Sequence, residues 1–424
     1  MIYFLLPRLS HNTFNNISYI VSNDPQIIVS NSLSHYLYDI KEHLNTYSYE
    51  WDIHKKYTNP YEYIHSIIQS KKKCIAKYKP LSRSFFKMIE ISTCFNIHEI
   101  KTPIQTFHLA EGPGGFIEAI SYLRKCSDDK YTGMTILSDE NDSNIPAWKK
   151  SFQFLKENPN VSIETGIDKT GNLLSFENFK YCQEKYKSSM DIITGDGGFD
   201  FSSDFKNQEN NISNLLFAQI AYALVMQKHK GKFILKIFDS FMQHTIDLIA
   251  ILSSFYEQVY ITKPNTSRYA NSEKYIVCIG FIHNSCDIFL PVLNNAFEKM
   301  TTILQPILDQ CQDIQDGPTN IQNQTHIPIQ SCRYLGITIP KLFLTKLEEY
   351  NSIFGQQQLE NIHYTLSLIE NRFKQDKIDT LIKQNSQKCI QWCIHHDMLY
   401  NNISENSNIF LNNVFKKSAF LPST

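Results

Sequence analysis

Between residues 106 and 281 short apolar runs alternate with longer amphipathic ones, and this alternation limits the possible folds more than any other feature. "TFHLA" (106–110) reads as a strand, "GFIEAISYLRKC" (115–126) as a helix, and "TGMTIL" (132–137) and "MDIITGD" (190–196) as further strands. A helix over 214–229, a strand "KFILKIF" (232–238) and a helix over 244–256 come next. Two strands close the region, "QVYITKP" (258–264) and "KYIVCIGF" (274–281). Strands separated by helices of roughly 10–15 residues form βα units on a mostly parallel sheet. The last two strands lie too close together for a helical crossover, so they are expected to pair antiparallel at the sheet edge. The fold class predicted is α/β, a doubly wound sheet with an antiparallel terminal hairpin.

The flanks follow other patterns. Residues 1–70 mix turns with patches such as "SLSHYLYDI" and predict a mostly helical N-terminal extension; 71–291 form the α/β domain. Residues 292–424 predict a helical accessory region, interrupted by the polar linker 312–330. "MIYFLLP" lacks a basic start and stops at Pro7, which makes it a poor signal peptide. No run reaches the roughly 18 apolar residues of a membrane span, so no membrane association is expected. The 10 cysteines show no framework spacing, which predicts reduced thiols and a cytoplasmic location. Cys389, Cys393, His395 and His396 resemble metal ligands, but they lack a distant second pair, and no metal is expected.

Glycine is scarce and unevenly placed. Of 14 glycines in 424 residues, 11 lie between Gly112 and Gly280, and two groups stand out: "EGPGG" and "GDGG". The first falls between a strand and a helix, where ligands bind in an open α/β sheet. Its glycines at 112, 114 and 115 do not match G-x-G-x-x-G, so a nicotinamide dinucleotide is a weak reading. A tight turn with no ligand remains open on this stretch alone.

Five blocks taken in order narrow the choice: "SRSFFKMIEI" (82–91), "LAEGPGGFIEAI" (109–120), "DIITGDGGFDF" (191–201), "GKFILKIF" (231–238) and "KPNTSRYANSEKYIVCIGF" (263–281). Together they resemble the FtsJ-type ribose 2′-O-methyltransferases, most closely the branch that modifies the mRNA cap. The resemblance implies a Rossmann-like fold, S-adenosyl-L-methionine as cofactor, and a catalytic tetrad at Lys87, Asp196, Lys236 and Glu273. It also implies that Gly112, Pro113, Gly114, Gly115 and Phe116 run against the donor, with Asp139, Asp168 and Asp196 as further cofactor contacts. Asp142 competes with Asp139, and Asp139 or Asp168 could instead cap a helix. Many relatives carry an acid in the first strand where this chain has His108, so that contact is expected to be absent or replaced. The resemblance extends to a viral member of the family, which implies the host cytoplasm and packaging in the virion.

The chemistry suits these residue types. A ribose hydroxyl is a poor nucleophile, so methyl transfer to it needs a base or electrostatic activation. Lys236 ends an otherwise apolar strand and is expected to steer or deprotonate the 2′-oxygen. Asp196 would lie between donor and acceptor, with Lys87 and Glu273 positioning and tuning. A strand-end lysine reaching solvent is the plainer reading of Lys236 taken alone.

RNA is the expected partner. Residues 71–87 carry seven Lys or Arg and no acid, in a chain of net charge −1. Basic residues interleaved with Tyr78, Phe85 and Phe86 suit phosphate contact and stacking, although a solvated basic face is the usual meaning of such a run. Lys79, Arg83, Ser267 and Arg268 are the candidate RNA contacts, and capped mRNA 5′ ends the candidate substrate. Ribosomal RNA and a non-catalytic binding or processivity role are the alternatives. Other capping or transcription proteins are candidate partners of the C-terminal region.

Overall fold

The computed structural model describes residues 1–22, 26–137, 147–198, 207–312, 331–371 and 375–401. The strands are β1 (Ile2–Leu5), β2 (Ile17–Ser22), β3 (Gln105–Leu109), β4 (Lys130–Met134), β5 (Val161–Glu164), β6 (Met190–Gly195), β7 (Gln227–Ile237), β8 (Tyr256–Lys263), β9 (Lys274–Phe281) and β10 (Ser331–Leu335). The helices are α1 (Asn31–His43), α2 (Ser48–Thr58), α3 (Ser84–Cys94), α4 (Gly115–Arg124), α5 (Phe152–Glu157), α6 (Phe176–Tyr186), α7 (Gln208–Asn211), α8 (Ser213–Met226), α9 (Gln243–Phe255), α10 (Leu290–Gln312), α11 (Lys341–Glu370) and α12 (Gln375–His395).

Eight strands form one sheet in the order β1-β8-β9-β7-β6-β3-β4-β5. β5, β4, β3, β6 and β7 run parallel, and β9 is antiparallel to both β7 and β8, as the short connection requires. The chain moves outward from β3 through β4 and β5, then returns to place β6 on the other side of β3. The switch point of the sheet therefore lies between β3 and β6, where open α/β sheets hold ligands. α8 is buried along nearly its whole length, which explains its continuous apolar sequence.

The flanks depart from the expected helical extensions. "IYFL" is β1, hydrogen-bonded antiparallel to β8 from Ile2↔Lys263 to Leu5↔Tyr260. β2 pairs antiparallel with β10 in a separate two-stranded sheet. The helix expected over 214–229 stops at Met226, because Gln227 already pairs with Met190 in the main sheet.

The chain divides into two compact units: Met1–Asn59 with Pro80–Phe373, and Pro60–Lys79 with Lys374–Thr424. The first holds the sheet and the candidate site. In the second, α12 packs on residues 62–64, and the buried Cys389 thiol donates to the Pro60 carbonyl. No helix among the described residues is long and apolar enough to cross a membrane.

Candidate active site

The glycine-rich turn leaves β3 at the switch point and enters α4. Gly114 caps that helix at φ 106°, a left-handed conformation that side chains rarely adopt. Gly115 is required by close approach: a Cβ there would lie 2.2 Å from Ser84 Oγ and 2.3 Å from Ser82 Oγ. A Cβ on Gly112 would lie 2.4 Å from the Ala147 carbonyl oxygen. Ser151 Oγ also donates to the Pro113 carbonyl at 2.5 Å. The turn is thus clamped between the start of α3 and residues 147–151.

α3, β6, β7 and β9 bring the four expected catalytic side chains together. Asp196 follows β6, and its N–H donates to Leu109 O at 3.2 Å, which holds it against the end of β3. Lys236 lies one residue from the end of β7 and pairs across the sheet with Tyr275 of β9. Paired residues share a face, and both reach Asp196. Lys236 Nζ donates to the Asp196 carbonyl at 2.6 Å and lies 3.3 Å from Asp196 Oδ1, while Tyr275 OH donates to the same Oδ1 at 3.3 Å. Glu273 sits two residues before Tyr275, so strand periodicity returns it to that side. It forms an ion pair with Lys87 of α3, with Nζ 2.7 Å from Oε1 and 2.8 Å from Oε2.

The connection between β8 and β9 is fixed from α3 and from within. Glu90 lies three residues after Lys87, so the two are neighbours on one helix face. Its carboxylate accepts from Asn265 N at 2.8 Å and from Thr266 N at 3.1 Å. Ser267 Oγ donates to Glu273 Oε1 at 2.7 Å, and Lys263 Nζ donates to the Glu273 carbonyl at 2.8 Å. Burial pushes the Glu273 carboxyl upward, but Lys87 and Lys236 with the Lys87 and Ser267 hydrogen bonds outweigh it, holding the group well below the usual carboxylate range.

Residues 80–281 match the model of the FtsJ-like methyltransferase family. That segment is an FtsJ-like methyltransferase domain. The chain is 25% identical over 331 residues to cap-specific mRNA (nucleoside-2′-O-)-methyltransferase 2 of Mus musculus, covering 76% of this chain and 39% of that protein. It is 37% identical over 119 residues to cap-specific mRNA (nucleoside-2′-O-)-methyltransferase 1 of Trypanosoma brucei brucei, covering 28% of this chain and 32% of that one. The chain thus spans about a third of the length of these relatives.

Supports of the FtsJ-like domain also come from outside its bounds. Lys41 of α1 donates to Asp239 at 2.8 Å, and Lys274, next to Glu273, lies 3.8 Å from the same carboxylate. All three side chains are buried. Burial would raise Asp239, but the lysines around it hold its carboxyl below the ordinary value.

The remaining expected site residues divide. Phe116 is buried among core side chains, and its N–H is occupied by Glu111 Oε1 at 2.6 Å, so neither group is free for a donor. Asp168 is exposed on the turn after β5, where its Oδ1 accepts from Thr170 N and Oγ1 and from Asn178 Nδ2 at 2.7–2.9 Å. It lines a cavity of about 450 Å³ with Ser175, Phe176, Glu298 and Thr301, and no residue of the glycine turn lines that cavity. Asp139 and its competitor Asp142 lie outside the described residues. Lys79 is exposed and belongs to the smaller unit, whereas Arg83 belongs to the larger, so the basic run 71–87 crosses a unit boundary. Arg83 Nη2 donates to Thr266 O at 3.4 Å, and Arg268 is half-buried. Ser267, read as an RNA contact, is fully buried; its hydroxyl is spent on Glu273, which corrects that assignment.

His108 has a structural role. Its Nδ1 lies 2.8 Å from Thr194 Oγ1 and its Nε2 lies 2.8 Å from Thr106 Oγ1. A neutral imidazole satisfies both hydroxyls with one donor and one acceptor. Burial drives its pKa down to about 3, so it stays neutral and pins β3 to β6.

Sequence reasoning missed Glu111, inside the glycine turn itself. Its Oε1 accepts from Phe116 N and Ile117 N, but its buried Oε2 has no hydrogen-bond partner among the described residues. Burial, and then the Asp196 charge, push the Glu111 carboxyl well above its ordinary value, with the two amides and Lys236 opposing. An unpaired acid oxygen beside a turn held open by glycines fits a cationic group, and S-adenosylmethionine is such a group. Tyr275 lies within the fifth block, but nothing in the sequence signals that Glu111 is buried.

Proposed function

We propose that the chain is an S-adenosylmethionine-dependent RNA ribose 2′-O-methyltransferase acting on the cap-proximal nucleotide of mRNA. The observation that carries this is the meeting of Lys236, Asp196, Lys87 and Glu273 at the rim of the sheet, beside the glycine turn, within a methyltransferase domain. The cap assignment rests on what the mouse and trypanosome relatives are named for.

In this reading the turn at Gly112–Gly115 holds the donor's methionine portion, and the donor supplies an electrophilic methyl group. Lys236 Nζ leaves the Asp196 carbonyl and engages the ribose 2′-hydroxyl. As the neutral amine, its extra proton already given to solvent, it accepts the hydroxyl proton; as the ammonium it steers the oxygen by donating to it. Asp196 holds the amine on line through its carbonyl and carboxylate. Lys87 and Glu273 neutralise each other, keep the β8–β9 connection in register, and leave one ammonium free to change partners. Arg268, half-buried in that connection, is the candidate phosphate contact of this unit.

The test is methyl transfer from labelled donor to capped, uncapped and ribosomal RNA. Transfer to the first transcribed nucleotide of capped RNA, lost in Lys236→Met, supports the reading. Equal transfer to uncapped RNA contradicts the cap assignment, and preference for ribosomal RNA replaces it. Donor binding without transfer to any RNA favours a non-catalytic RNA-binding role.

A further inference from the structure

Glu111 is buried, only 4% exposed, and one of its oxygens has no hydrogen-bond partner among the described residues, close to Asp196 and Lys236 of the candidate site. Buried polar atoms are nearly always satisfied, and an exception calls for a cause such as a ligand or a catalytic role. The satisfied oxygen already takes two amides at the start of α4, so the acid is fixed in orientation. Three titratable groups face it from the packed strands: Asp196 beyond β6, Lys236 of β7 and Tyr275 of β9. Lys236 is hydrogen-bonded to the Asp196 carbonyl and Tyr275 to its carboxylate, so neither neutralises Glu111 directly.

A carboxyl so placed has two stable conditions. With no cation bound beside it, burial and the Asp196 charge favour its protonated form, against the opposing pull of the two amides and Lys236. With a cation in the site it ionises, and its proton leaves to solvent. The donor carries a net positive charge through its sulfonium, and the product, S-adenosylhomocysteine, does not. The methyl must be delivered on the side of the site where Lys236 stands, and Glu111 and Lys236 already interact electrostatically.

We propose that Glu111 is the residue by which the glycine turn distinguishes the charged donor from its neutral product, releasing a proton when the donor loads and regaining it after methyl transfer. This rests on the donor reading above. It makes Glu111 a specificity-determining residue: its charge helps hold the donor and its reprotonation helps release the product. Donor affinity then rises with pH while Glu111 is still protonated in the free protein, by up to about tenfold per pH unit, and levels off above its raised pKa. Product affinity stays flat.

The experiment is calorimetric binding of S-adenosylmethionine and S-adenosylhomocysteine to the full chain between pH 5.5 and 8.5, in buffers of different ionisation enthalpy. The wild type is expected to release up to about one proton with the donor and none with the product. Glu111→Gln keeps an acceptor for the Phe116 and Ile117 amides. It is expected to lose the proton release and about tenfold or more of the donor-over-product preference at neutral pH. Retained product binding shows that the variant is folded. Equal proton release for donor and product in the wild type overturns the proposal without use of any variant. An unchanged preference and unchanged proton release in Glu111→Gln also overturn it, while leaving the donor reading intact. Failure of the wild type to bind either molecule removes the donor reading, and this proposal with it.

Discussion

The site holds two lysine–carboxylate pairs that differ in how tightly they close. Lys87 meets the Glu273 carboxylate at 2.7 and 2.8 Å, and Ser267 adds a third hydrogen bond. Lys236 instead meets the Asp196 carbonyl at 2.6 Å and the Asp196 carboxylate only at 3.3 Å. The first pair is a neutralised unit that ties α3 to the β8–β9 connection. The second is an ammonium held mainly by the Asp196 carbonyl, with a looser ion pair to the Asp196 carboxylate. Such an amine can exchange its carbonyl for an incoming hydroxyl without abandoning a full ion pair. Two pairs of the same composition are therefore suited to different work, one to hold and one to react.

Substitutions that break one pair at a time test this contrast. Lys236→Met is expected to lower methyl transfer by about 10³-fold or more, the scale of a lost acid–base group, with the melting temperature little changed. Lys87→Met leaves Glu273 buried and unpaired, and chemical denaturation should show a loss of about 3–5 kcal/mol. Adding Glu273→Gln to that variant should recover much of the stability and none of the activity. A double variant no more stable than Lys87→Met would show that the pair does not act as a closed unit.

Two smaller effects sharpen the comparison. His108 accepts a proton near pH 6.5 when unfolded but only near pH 3 in the fold. Its contribution to stability is therefore constant above pH 6.5, falls as pH drops below that value, and stops changing near 3. The slope is about 1.4 kcal/mol per pH unit at most. Melting curves of His108→Gln against wild type across that range should show the variant less stable at pH 7.5 and less sensitive to acid. Ser267→Ala removes one of three hydrogen bonds to Glu273, at about 1 kcal/mol, and the change in stability should exceed the change in transfer rate.

What the sequence revealed depended on how local the signal was. The parallel strands and the closing hairpin were legible because a period of two gives way to 3.6 within short, bounded runs. β1 was not, since "IYFL" is a four-residue apolar run whose partner lies more than 250 residues away at Lys263. The β2–β10 pairing spans an even longer separation and could not be read from either segment alone. Lys87, Asp196, Lys236 and Glu273 were legible through the order of their blocks, and the register Lys236↔Tyr275 then accounts for how they meet. Ser267 and Glu111 were misread or missed for one reason. A hydroxyl or carboxyl in a loop looks alike whether it faces solvent or the core, and only burial separates the two.

The account depends most directly on the identity of the reactive lysine. Single-turnover methyl transfer from labelled S-adenosylmethionine to capped RNA, measured for wild type, Lys236→Met and Lys87→Met/Glu273→Gln with donor binding checked in each, isolates it. The account predicts bound donor in all three proteins, with no measurable transfer by Lys236→Met. Transfer by Lys236→Met within tenfold of wild type would contradict it.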